Sequence, residues 1–133
     1  MIYQEVTGEI IGCAMEVHRQ LGCGFQEYVY QRALEIELQN RKVKAKKEFE
    51  IKIYYKGEYI GLRRVDFILQ DAITVELKAI AELQDTHIAQ AINYLEASSY
   101  PVGLLINLGA RSLQFKRFYN KRFPHNQFQS YES

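Results

Sequence analysis

The chain of 133 residues has no tryptophan, two prolines and two cysteines. Cys13 and Cys23 make no CxxC pair and have no further cysteine partners, which argues against a zinc ribbon, an iron–sulfur cluster or a disulfide framework. They read as small buried apolar residues in a reducing, cytoplasmic setting. No stretch approaches the roughly 18 apolar residues of a membrane span. The opening MIYQEVTGEIIG contains acidic residues and no long apolar run, so it does not read as a signal peptide. Neither sign of charge dominates: the formal net charge is +1. Bulk charge therefore does not announce a nucleic-acid binder, and any basic surface must be local. With prolines and glycines scattered and no repeat, nothing divides the chain. Residues 1–123 are expected to form a single domain, and 124–133 a polar C-terminal tail.

Hydrophobic residues make up 47% and charged residues 25%, the profile of a globular domain. Val6, Ile10, Ala14, Val17 and Leu21 step at helical spacing, and the Gly22–Gly24 region stops that helix. Tyr30, Leu34 and Leu38 mark a second helix over about 25–41. Glu27 shares its stripe and lies near the N-terminus, where negative charge is favoured. Phe49 to Tyr55 alternates as a strand, and Lys56-Gly57-Glu58 turns. A second strand runs through Tyr59-Ile60 and Val65–Leu69, and a third over Ile73–Ala79. A helix over Asp85–Ser98, a fully apolar strand at Val102–Asn107 and a final strand at Ser112–Tyr119 complete the order ααβββαββ. The first three strands should be antiparallel, with the helical crossover returning the fourth to the same sheet.

Two of these strands carry charge where dry residues are expected. VDFIL holds Asp66, and TVELKA holds Glu76 and Lys78. An unpartnered buried charge is expensive, so such residues pair, hold a metal or do chemistry. Glu76 and Lys78 are two apart and share a face. The short turn makes the strands neighbours, so Asp66 is expected opposite Glu76. Two carboxylates and a lysine then converge. Oxygen ligands suit Mg2+ or Mn2+, which need few protein donors because water supplies the rest. On spacing alone, a surface salt-bridge cluster accounts for the pattern equally well.

The spacing resembles that of the PD-(D/E)XK nuclease superfamily, in which an Asp on one strand and an (Asp/Glu)-x-Lys on the next form the metal site. Asp66, Glu76 and Lys78 match those positions, and Val65 stands where the superfamily often has proline. Gly24-Phe25-Gln26-Glu27-Tyr28-Val29-Tyr30 is similar to the signature of the GxxExxY family, assigned to the same superfamily. Glu27 matches the acidic residue that the preceding helix often adds to the site. Gln90-Ala91-Ile92-Asn93-Tyr94 resembles the Q-x-x-x-Y motif of exonuclease-like branches. Together these cover roughly residues 5–119. The resemblance implies a restriction-endonuclease-like α/β fold, with a mixed sheet flanked by helices. It implies a metal site of Asp66, Glu76, Glu27 and the Leu77 main chain. It gives Asp66, Glu76, Lys78 and Glu27 catalytic roles, and Gln90, Tyr94, Tyr30 and Arg64 contact with substrate.

His87 shares a helix face with Gln90 and Tyr94 and reads as a structural or substrate-side residue rather than a ligand. Basic residues cluster at Arg41, Lys42, Lys44, Lys46 and Lys47. A second cluster, Arg111, Lys116, Arg117, Lys121 and Arg122, is interleaved with aromatics, a mixture that can hold phosphates and stack bases. The expected function is Mg2+- or Mn2+-dependent hydrolysis of phosphodiester bonds in DNA or RNA. A non-catalytic nucleic-acid- or protein-binding module on the same fold is the alternative. A homo-oligomer fits either reading, and a membrane fits neither.

Overall fold

The computed structural model describes residues 2–123; the expected tail at 124–133 lies outside them. The order is α1 (Ile2–Leu21), α2 (Glu27–Asn40), β1 (Lys46–Tyr55), β2 (Glu58–Leu69), β3 (Ile73–Lys78), α3 (Asp85–Ala97), β4 (Val102–Asn107) and β5 (Gln114–Tyr119). The five strands form one sheet in the order β1-β2-β3-β4-β5. β1, β2 and β3 pair antiparallel, β3 and β4 pair parallel, and β5 returns antiparallel. The parallel step is where a strand cannot follow its neighbour through a tight turn, so α3 supplies the crossover. This is the α/β restriction-endonuclease-like arrangement that the element order implies.

α1 and α2 cover one face. Ile10, Ala14 and Val17 of α1 and Tyr30, Leu34 and Leu38 of α2 pack on Phe67, Leu69, Val75, Leu77, Leu104 and Ile106. A smaller cluster of Ile51, Ile53, Val65 and Ile68 lies with Tyr94 of α3. β4 is buried at every position, as expected of a central strand covered on both faces. Cys13 is buried; Cys23 is exposed, contrary to the expectation for both, because it belongs to the turn between helices rather than to a stripe.

The β1–β2 turn uses Lys56 and Gly57, with φ of 48° and 83°. Positive φ at both central residues matches the twist of a two-residue hairpin. The β1–β2 register shifts between Ile53 and Tyr54, and the alternation of β2 breaks again nearer the sheet centre. Val65 and Ile68 pack in the cluster beneath α3, whereas Phe67 and Leu69 enter the α1–α2 core. Asp66 sits at that break. The β1–β2 register passes from Lys47–Phe67 to Phe49–Val65 without pairing Glu48 with Asp66, and Glu48 has φ 54°. On the other side, the β2–β3 ladder ends at Phe67–Val75. A residue left out of both ladders can turn its side chain to other work.

Candidate active site

Asp66 uses its carboxylate where the ladder stops. Oδ2 accepts the Leu77 backbone N–H at 2.7 Å, and Oδ1 accepts Nε2–H of Gln31 at 2.9 Å. The β2–β3 ladder ends one step short of an Asp66–Glu76 pair, at Phe67–Val75, and the Asp66 side chain reaches to the main chain of Leu77. Burial, joined by the negative charges of Glu27 and Glu76, raises the Asp66 pKa to about 6 against the Leu77 and Gln31 hydrogen bonds that lower it. Glu27 is an exposed residue at the start of α2, yet burial of its carboxyl also raises its pKa, with Lys78 opposing and Glu76 adding to the rise. Glu27 therefore lies within electrostatic reach of Asp66, Glu76 and Lys78, and Asp66 within reach of Glu76.

Glu76 is held by Arg63, one of the Arg63-Arg64 pair that stands just before Asp66 in the sequence. Arg63 donates from Nε to Oε2 and from Nη2 to Oε1, both at 2.7 Å. The guanidinium also lies over the Tyr94 ring, 4.4 Å from its centroid. Arg63 and Glu76 side chains are 19% and 14% exposed, so the pair is screened far less than a surface bridge. Lys78 is half-buried, and among the described residues its ammonium makes no salt bridge or hydrogen bond.

Other expected residues fall differently. Gln90 is exposed on α3. Arg64 is exposed and paired with Glu50 at 3.2 Å. Tyr30 corrects the expectation of substrate contact. It is 0% exposed, its hydroxyl donates to the Gly22 carbonyl at 2.6 Å and accepts the Phe25 N–H at 3.2 Å. It thereby locks the turn that launches Glu27, with Gly24 at φ 118° supplying a conformation other residues avoid. His87 accepts the Gln84 N–H on Nδ1 at 3.0 Å and caps α3.

Sequence reasoning missed Gln31, although it stands four residues after Glu27 and so on the same helix face. It also missed the polar clamp behind Lys78. Asn107 is 0% exposed. Its Oδ1 accepts the Ile80 N–H at 3.0 Å and the Gly109 N–H at 3.1 Å, while its Nδ2 donates to the Ile80 carbonyl and to Gln114 Oε1, both at 3.0 Å. A Cβ on Gly109 would fall 2.4 Å from the Ala79 carbonyl carbon and the Ile80 nitrogen. The backbone leaving Lys78 is thus pinned by a buried amide against a residue that must be glycine. The bulk of the first basic cluster is neutralised: Arg41 faces Glu9, Lys46 faces Asp71 and Lys47 faces Glu35.

Among the described residues, no group of three His, Cys, Asp or Glu side chains is arranged to hold a metal ion. The donor chemistry nevertheless fits Mg2+ or Mn2+: hard carboxylate oxygens gather in a partly dry place, and burial, with their mutual charge adding to it, raises two of the three carboxyls. In this arrangement Arg63 takes both oxygens of Glu76.

No protein of curated function matches the sequence. A solved structure titled "Crystal structure of SSO0001" is similar in fold, with a TM-score of 0.56 and 20% identity over 71% of this chain. The match covers 50% of that structure's chain. A family profile described as the PD-(D/E)XK nuclease superfamily matches residues 4–118. That span contains Glu27, Asp66, Glu76, Lys78 and the strands that carry them, and the chain belongs to the PD-(D/E)XK nuclease superfamily.

Proposed function

We propose that the protein is a divalent-metal-dependent nuclease of the GxxExxY branch, hydrolysing phosphodiester bonds. The observation that carries this reading is the interrupted ladder at Asp66, where a carboxylate of raised pKa lies in the field of Glu27 and Glu76. Charge gathered in that way is typical of sites that bind or react. In this reading Asp66 and Glu76 hold Mg2+ or Mn2+, with Glu27 and the Leu77 main chain completing the protein's share. The bound ion would supply an acidic water as nucleophile and would neutralise phosphate charge.

The chain's own residues do the rest. Gln31 and the Leu77 N–H fix the Asp66 carboxylate, so it needs no reorganisation when charge arrives. Lys78 brings an uncommitted cation to the charge that develops on the phosphate. Asn107 and Gly109 hold the backbone after it. Gln90 and Tyr94 of α3 guide the substrate.

Nucleic acid as partner is favoured by the β1–β2 arm. Tyr54, Tyr55, Tyr59, Ile60 and Leu62 on it are each 46–61% exposed, and Lys56 lies over the Tyr55 ring at 5.4 Å. Exposed aromatic faces beside cations stack bases and grip phosphates.

The test is incubation of end-labelled single- and double-stranded DNA and RNA with Mn2+, Mg2+ or EDTA. The expected result is cleavage in metal, none in EDTA, and at least about a hundredfold loss in Glu76→Gln, since the site then lacks a charged ligand. Tight nucleic-acid binding with no turnover in any metal would instead identify a binding module.

A further inference from the structure

Resting on the nuclease reading above, we infer that Arg63 is a resident cation of this site, parked on Glu76 until a divalent ion takes its place, and then the side chain that holds the substrate phosphate. The two-pronged contact, at 2.7 Å on each arm, fills one in-plane lone pair on each Glu76 oxygen, so a metal cannot chelate both oxygens from that side while Arg63 stays. Arg63 and a divalent ion therefore compete for one carboxylate.

The guanidinium has somewhere to go. It rests over the Tyr94 ring at 4.4 Å, and a stacked guanidinium keeps its edge N–H groups free for an anion. Arg63, Glu76 and Tyr94 line one small cleft together with Thr74 and Gly103. Release from Glu76 thus requires only a side-chain swing, with Tyr94 as the surface on which it turns. Planar two-point recognition of phosphate is what arginine does better than lysine.

An alternative account makes Arg63–Glu76 an ordinary structural ion pair. The two differ in what the arginine costs. A structural pair holds the ligand in place, so breaking it weakens metal binding; a parked cation opposes the metal, so breaking it strengthens metal binding.

The experiment is Mn2+ titration of the full chain without nucleic acid, followed by the electron paramagnetic resonance signal of free Mn2+. It compares the wild type, Arg63→Gln and Arg63→Lys. Arg63→Gln is expected to bind Mn2+ about tenfold more tightly. Arg63→Lys, which keeps the charge and loses the fork, is also expected to bind at least about threefold more tightly. Tightening in Arg63→Gln alone would reduce the effect to bulk charge and overturn the parked-fork proposal. Equal or weaker binding in both variants, with a wild type that does bind, would overturn it as well. Absence of Mn2+ binding in all three proteins would sink the metal site itself, and the inference with it.

The phosphate half is read in a Lys78→Ala background, so that bound oligonucleotide is not consumed. There, Mn2+ is expected to tighten oligonucleotide binding, and adding Arg63→Gln is expected to shrink that gain by about tenfold. An undiminished gain would remove Arg63 from the phosphate.

Discussion

Replacing Lys78 by alanine is expected to abolish metal-dependent cleavage, by about a thousandfold or more, while leaving the fold and Mn2+ affinity in place. Most buried or half-buried lysines are anchored by a carboxylate. Among the described residues this one has no hydrogen bond or ion pair, and its nearest charged company is Glu27 and the carboxylates around it. It therefore contributes little to holding the native state together, and its partial burial is a cost that alanine relieves. A cation aimed at developing phosphate charge is worth several kcal/mol at the transition state in a dry site. The prediction separates two quantities: the melting temperature should stay level or rise, and the turnover rate should collapse. A matching fall in stability would give Lys78 a structural role.

Asp66→Asn has the second large expected effect, and it is a gain. The folded-state carboxyl titrates near pH 6, against an ordinary 3.8. Between those values the folded chain binds more protons than the unfolded one, so stability falls as pH rises through that window and stays reduced above it. At pH 7.5 the ionised carboxylate therefore lowers stability, and asparagine should recover roughly 2 kcal/mol of it after allowance for solvent screening. Its amide can keep both contacts: the oxygen accepts the Leu77 N–H, and the NH2 group meets Gln31 once that amide is turned over. Denaturant titrations across pH should show the gain in full above pH 6 and none below about pH 4. Cleavage should disappear in the same variant. Such a trade of stability for activity is common where charge is gathered for function. Loss of stability at neutral pH would mean that the hydrogen bonds of Asp66 outweigh its burial.

Element order, topology and the α1 and α2 cores were legible because apolar spacing reports which face is dry. Val102–Asn107 could be bounded to the residue because Pro101 marks its start and the apolar run of Val102–Ile106 ends at polar Asn107. Asp66, Glu76 and Lys78 were legible as charges in dry strands. Their arrangement was not, since alternation places Asp66 opposite Glu76, and the break at Glu48 and Asp66 has no local signature beyond a glutamate in a strand of mixed residues. Tyr30 was misassigned because a tyrosine on a helical stripe has the same spacing whether its hydroxyl meets a ligand or a turn. Arg63 shows the limit most clearly. Adjacent Arg63 and Arg64 are equivalent as residue types, yet strand alternation sends one to Glu76 and the other to solvent with Glu50.

In the nuclease reading Asp66 and Glu76 share a divalent ion. Anomalous diffraction from crystals grown in Mn2+ tests it most directly. The expected result is a peak within bonding distance of both carboxylates, with the Arg63 guanidinium moved off Glu76. A site without anomalous density, with Arg63 still bound to Glu76 at saturating Mn2+, would contradict it.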